Sequence, residues 1–374
     1  MNKTVKNLLI IALAMILAGA VFVAAAFGLG ARLKRQWDNA LFRANVNIGM
    51  GGVTGYRNWN NAYEADGTYA LDATGIESVD LKWIAGMAVI VVSDGGGIDI
   101  AETASAPIPE NHALRYGVEN GTLYIQYCEA GTTGELPEKS LTVSIPRALA
   151  EQMADFSFDA SSASLTLSGI TAQRFTFDSS SGGLKADSVN AQDVRLNASS
   201  GDLSFSGAYG KLEADTSSGD VSVVSLGAAE STFVNTSSGN VDLTGDCGAL
   251  SVGTTSGRVA STGALSAKSL SVDTSSGDVS LGGSFPKVNV GTTSGTVRLD
   301  MDVCPGTLDV STSSGDVTLV LPEQSGFTLR FNTSSGEMDC AFSVVMDGNK
   351  YVCGDGSADF DVDTSSGSLG VKAK

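Results

Sequence analysis

From residue 156 onward the chain alternates apolar and polar residues in short runs on either side of a recurring polar corner. Later copies read Asp215-Thr216-Ser217-Ser218-Gly219, Asn235-Thr236-Ser237-Ser238-Gly239 and Asp273-Thr274-Ser275-Ser276-Gly277. The closing position falls at 163, 182, 201, 219, 239, 257, 277, 295, 315, 336 and 367, so successive spacings are 19, 19, 18, 20, 18, 20, 18, 20, 21 and 31. Counted from the closing residue, positions −7 and −5 are apolar in most copies, as in Phe175 and Phe177 or Leu270 and Val272. Positions +2 and +4 behave likewise, as in Leu203 and Phe205 or Val317 and Leu319. Period-2 alternation on both sides of a turn predicts one strand before the corner and one after it, each with a single inward face. One repeat cannot bury that face alone, so repeats must stack. The predicted fold is all-β: a parallel β-solenoid, or β-helix, of about eleven coils of 18–20 residues with Thr-Ser-Ser-Gly corners. At about 4.8 Å per coil the stack is roughly 50 Å long.

The corner residues have expected tasks. Gly182, Gly201, Gly219, Gly239, Gly257, Gly277, Gly295, Gly315, Gly336 and Gly367 are expected to turn the chain with positive φ. Ser and Thr hydroxyls can bond backbone groups in the turn or one coil away. Asp or Asn at −4 can accept from amides of the turn that follows. The 31-residue interval predicts an inserted hairpin near 341–357.

Upstream, residues 8–31 carry no charge. A helix of that length spans roughly 36 Å, enough for a bilayer core of about 30 Å. The expected organisation is a short cytoplasmic tail (1–6), a transmembrane anchor (7–31), a juxtamembrane linker (32–74), a β-rich capping region of degenerate coils (75–155) and the solenoid (156–374). Ala24-Ala25-Ala26 keeps open the alternative of a cleaved signal peptide. Basic residues flank the span almost evenly, so orientation rests on the simpler arrangement of an exported body at the cell membrane. The 75–155 region is expected to cap one end of the stack, and the charged tail Val371-Lys372-Ala373-Lys374 the other.

Composition sharpens this. The net charge is −18, and no Asp or Glu precedes Asp38. The acidic charge is therefore concentrated in the body, which repels nucleic acid. Charged residues are only 17 % of the chain and Gly numbers 45, a mixture that disfavours long helices.

Little in the sequence carries catalysis. His112 is the single histidine, which makes His-rich metal sites and a Ser-His-Asp triad poor readings. Ser is abundant but periodic, as a structural residue would be. The five cysteines, Cys128, Cys247, Cys304, Cys340 and Cys353, show no C-x-x-C spacing. Cys340 falls at an inward +4 position, as a plain core residue would; a disulfide from Cys340 to Cys353 could instead close the inserted hairpin. The candidate site is an outward acidic column, with Asp202 and Asp220 at +1 in adjacent coils and Asp215 at −4. These carboxylates could offer oxygen ligands to Ca²⁺, or simply be solvated. No catalytic residue and no cofactor is expected.

The repeated Thr-Ser-Ser-Gly-Asp-Val element at 216–221, 274–279 and 312–317 resembles the DUF4097 family of bacterial β-strand-repeat proteins, described as adhesin-like. Glu77-Ser78-Val79-Asp80-Leu81, Ala85-Gly86 and Ser144-Ile145-Pro146 fit its opening segment, so the resemblance covers residues 76–371. It implies a parallel β-helix-like fold at a bacterial cell surface, with no established catalytic residues. The 31-residue interval departs from the family's regularity.

The expected function is therefore a membrane-anchored, extracytoplasmic, non-catalytic binding or structural module. Its partners would be the membrane, through the single span, and a protein or cell-envelope glycan. One alternative is the ectodomain of an envelope-stress sensor working through a membrane partner. Another is a polysaccharide-active β-helix enzyme, which would need clustered carboxylates with basic or aromatic partners.

Overall fold

The structure, a computed structural model, describes residues 47–49 and 52–374. The expected tail and transmembrane anchor (1–31) lie outside the described residues, among which no helix is long and apolar enough to cross a membrane.

Each repeat contributes one strand to each of two facing sheets. Strands before the corner, such as Thr171–Ser179, Asn190–Ala198 and Tyr209–Thr216, lie side by side and parallel in the first sheet. Strands after it, such as Leu184–Asp187, Leu203–Gly207 and Val221–Ser225, do the same in the second. Among the described residues the sheets hold 16 and 15 strands; setting aside three and two antiparallel edge strands leaves thirteen parallel strands in each. Eleven of the thirteen coils carry the recurring corner, and two more come from the region before it.

The register keeps like side chains together. Phe156 stacks on Phe175 at 5.4 Å and Phe158 on Phe177 at 5.7 Å, all four buried. Positions −7, −5, +2 and +4 fill the space between the sheets; Val194, Leu196, Leu250, Val252, Val297 and Leu299 are buried there. Each such side chain contributes about 1.5–3 kcal/mol of burial free energy, which only neighbouring coils can supply.

The stacking order departs from sequence order at both ends. At one end, Thr122–Gln126 and Lys139–Pro146 form the outer coil. The earlier pair Ser78–Trp83 and Gly86–Ser93 lies inside it, against Met153–Ala160 and Ser164–Ser168. At the other end, Ala358–Thr364 and Leu369–Ala373 are seated between Thr307–Thr312 with Val317–Leu321 and the outer pair Phe327–Asn332 with Met338–Cys340. The coils thus do not stack in simple sequence order, and one expectation is corrected: the tail 371–374 does not close the far end. The interval after Gly336 holds the hairpin Val344–Asp347 and Lys350–Cys353, which covers the outer coil in the first sheet. Placing the later coil inside the stack pairs both of its edges, while short antiparallel strands blunt the outermost edge.

The described part of the expected linker is built into the body. Thr68–Asp72 pairs with Gly97–Ala104 at the edge of the second sheet, and Val53 is buried. Trp59 stacks on Tyr124 at 5.8 Å, with the Arg57 guanidinium 3.9 Å from the Tyr124 ring centre. The aromatic residues that read as a tether are thus packing material for the capping coils.

Candidate functional site: the corner columns

The corner glycines do not act as expected. None of Gly182, Gly201, Gly219, Gly239, Gly257, Gly277, Gly295, Gly315, Gly336 or Gly367 has positive φ. Glycine is needed because each Cα rests on the carbonyl oxygen of the corner residue in a neighbouring coil (an earlier one in sequence for all but Gly336), where a Cβ would lie far inside contact distance. The requirement is stacking clearance rather than a left-handed turn.

The threonine of the motif completes the corner. Thr216, Thr236, Thr254, Thr274, Thr292, Thr312 and Thr364 are buried. Each Oγ1 accepts the N–H of the glycine three residues on, at 2.9 to 3.2 Å. Ser179 does the same for Gly182 at 2.8 Å. That amide points away from the sheet ladders and would otherwise be an unpaired buried donor. The two serines between face outward and are exposed in most copies.

The outward acidic columns are likewise engaged between coils. At +1, Asp202 Oδ1 accepts the Asp220 N–H at 2.9 Å, and Asp220 Oδ1 accepts the Asn240 N–H at 2.7 Å. Asn240 Oδ1 accepts the Arg258 N–H at 3.1 Å, and Asp278 Oδ1 the Thr296 N–H at 2.8 Å. A short side-chain acceptor at +1 therefore caps the free amide of the neighbouring coil, which explains the Asp and Asn there without a ligand.

The −4 column lies on the other sheet and runs Asp178, Asn197, Asp215, Asn235 in successive coils. Asn197 Nδ2 donates to Asp178 Oδ1 at 2.6 Å, and the Asn235 side chain bonds Asp215. The amides separate carboxylates that would otherwise stack at about 4.8 Å. These side chains pair along the stack rather than with the turn amides, which the threonines take. Burial, and then the nearby Glu213, push the Asp215 carboxyl up to about 6, against the Asn235 bond and Arg195. Asp202 and Asp220 are thus neighbours in one column, with Asp215 in another. No three His, Cys, Asp or Glu side chains among the described residues are grouped so that they could hold a metal ion.

The five cysteines are free thiols, Cys340 and Cys353 included. Cys353 is buried and donates to the Ser325 carbonyl at 3.4 Å; Cys340 is half-buried on the outer coil. Cys304 borders an open polar recess of about 310 Å³ with Ser325, Gly326 and Asp355.

One charged centre went unread in the sequence. Lys139 and Glu102 are fully buried, with Nζ 2.6 Å from Oε2. The ammonium also donates to the carbonyls of His112 and Tyr127 and lies 4.9 Å from the Trp83 ring centre. Glu102 accepts the Leu114 N–H at 2.8 Å. Burial lowers the Lys139 pKa, and the Glu102 carboxylate opposes that shift. Pro137-Glu138-Lys139-Ser140 reads as a solvated loop, so no local pattern marks this lysine. With every ammonium hydrogen engaged, the pair locks the capping loop onto the outer coil.

Two parallel sheets joined by a Thr-capped, Gly-stacked corner define the architecture. The model of Toastrack DUF4097 matches residues 135–249 and 246–372. The chain belongs to the Toastrack DUF4097 family. Three solved structures are similar to this Toastrack chain at low identity. One is a candidate cell adhesion protein from Clostridium sporogenes (9 % identity, 82 % of this chain and 98 % of that one, TM-score 0.19). The others are candidate adhesins from Bacteroides fragilis (12 %, 62 % and 95 %, TM-score 0.38) and Parabacteroides merdae (12 %, 81 % and 95 %, TM-score 0.36). No curated protein matches the chain.

Proposed function

We propose that this Toastrack chain is a non-catalytic binding or structural module, held at the cell membrane by residues 7–31 with its body outside the cytoplasm. The observation that carries the reading is the use made of the recurring polar side chains. Thr274 caps its own corner, Asp202 and Asp278 cap the next coil, and Asn197 bridges to Asp178. The residue types that could have carried chemistry are spent on holding a stiff stack with an acidic outer surface. Such a surface suits presentation of an extended face to a protein or envelope glycan.

Two measurements test this. Protease added to intact cells should remove the body, while a cytoplasmic marker survives; a protected body overturns the proposed location. The detergent-solubilised full chain should be retained by an envelope glycan or protein without altering it. Turnover of a polysaccharide, seen as new reducing ends, would overturn the non-catalytic reading.

A further inference from the structure

Among the described residues, the outer coil at the C-terminal end of the stack has sheet partners only in the residues that follow it. Phe327–Asn332 pairs with Ala358–Thr364 and Lys350–Cys353, and Met338–Cys340 pairs with Leu369–Ala373. Phe327 stacks on Phe360 at 5.1 Å and meets Phe342 edge-on at 5.6 Å. Residues 327–374 therefore form a self-paired unit of two coils and a hairpin. That unit reaches the body mainly through its inner coil, which pairs with Thr307–Thr312 and Val317–Leu321. Lys374 adds ion pairs to Asp300 at 2.8 Å and Asp302 at 2.6 Å.

The covalent link between body and unit is short. Residues 322–326 carry the chain past the inner coil's place in the stack to the outer coil. They hold one turn, in which the Pro322 carbonyl accepts the Ser325 N–H at 3.0 Å and its Oγ–H at 2.7 Å. Opening that turn frees the unit without threading or breaking any pairing inside it. The body face left behind presents Leu308, Val310, Val317 and Leu319 with two unpaired strand edges, a surface that cannot remain exposed. The complementary surface is present on every copy of the chain, in the same register.

We infer that residues 327–374 are an exchangeable end unit, which docks on the coil 307–321 of a second copy and receives that copy's unit in return. The two copies form a reciprocal dimer through the hinge 322–326. Every backbone pair and ion pair between body and unit in the closed chain is remade between chains, so closed and exchanged forms differ mainly in hinge conformation and concentration. The occupant is a second copy because the docking face is a parallel edge in fixed register, with a corner glycine, Gly315, shaped to receive Gly367.

The test uses the full chain in detergent. Ser311 and Asp363 are direct partners across the docking face, and both are exposed. One tagged chain carries Ser311→Cys and a second, differently tagged chain carries Asp363→Cys; the two are co-expressed and oxidised with copper–phenanthroline. Peptide mass mapping should find positions 311 and 363 joined between chains. The ratio of linked to unlinked chain should rise roughly tenfold per tenfold rise in concentration while the dimer is the minor species. A single chain carrying both substitutions reports the closed form and shows that the pair can link. If that control links internally while the single variants give no 311–363 link between chains at any concentration, even after incubation just below the denaturation midpoint, the inference is overturned.

Discussion

The backbone N–H of Ser368 donates to the Asp316 carboxylate at 2.8 Å, although 52 residues separate them. In coils that stack in sequence order the same +1 bond joins residues 18 to 20 apart, as from Asp220 to Asp202 and from Asn240 to Asp220. The contact shows that the coil ending the repeat is seated one place inside the outer coil. The outer coil, earlier in sequence, depends on it.

Phe360→Ala should therefore loosen residues that precede it. The ring is fully buried and stacks on Phe327. Its removal should cost about 3–5 kcal/mol. Hydrogen exchange should report lost protection across 327–340 as well as 358–373, with 269–284 unchanged. Loss confined to 358–373 would contradict the stacking order.

Gly277→Ala should destabilise the stack by about 2–3 kcal/mol, since its Cβ would drive the Gly257 carbonyl aside. Gly96→Ala, where a Cβ meets nothing and φ is not positive, should change the thermal midpoint little. Equal midpoints for the two variants would remove the clearance argument. In the same corner, Thr274→Ala should cost about 1–2 kcal/mol by leaving the Gly277 N–H unpaired, and Thr274→Ser should restore much of it.

Asp215 gives a pH dependence with a definite sign. Its folded-state carboxyl titrates at about 6, above the ordinary 3.8. Between these values the folded protein holds a proton that the unfolded chain has lost, so stability falls as pH rises through that window. The penalty is absent below about pH 4 and complete above about pH 6. Asp215→Asn should accordingly raise the thermal midpoint at pH 7.5, and the two proteins should converge near pH 4. A variant that gains nothing at pH 7.5 would show that the carboxylate is not penalised there.

Lys139→Met should be among the most damaging single changes in the capping region. It strands the Glu102 carboxylate in a site it cannot leave, at a cost of about 3–5 kcal/mol. Adding Glu102→Gln to the same chain should recover part of the loss. Denaturant midpoints of the two single variants and the double variant give the coupling directly; simple additivity would mean the pair is not acting as one unit.

The coil is legible in the residue pattern alone. Phe175, Phe177, Leu203 and Phe205 announce their inward faces through period-2 alternation, a local consequence of strand geometry. The recurrence at 18–20 residues marks Gly219, Gly239 and Gly277 as corners and the long interval as an insertion. The reason those glycines are required emerges only once the coils are stacked. Stacking clearance depends on a carbonyl one coil away, and no local pattern separates that from a demand for positive φ. The tertiary structure likewise turned Asp202 and Asp220 from candidate ligands into caps, because the amides they accept lie one coil away. The order of the coils was also beyond the sequence. The register of Ala358–Thr364 against Thr307–Thr312 satisfies the same alternation as pairing in sequence order would. What marks the observed order is a relation between distant residues: Lys350–Cys353 pairs antiparallel with Phe327–Asn332, so that the latter strand keeps a single parallel neighbour, Ala358–Thr364.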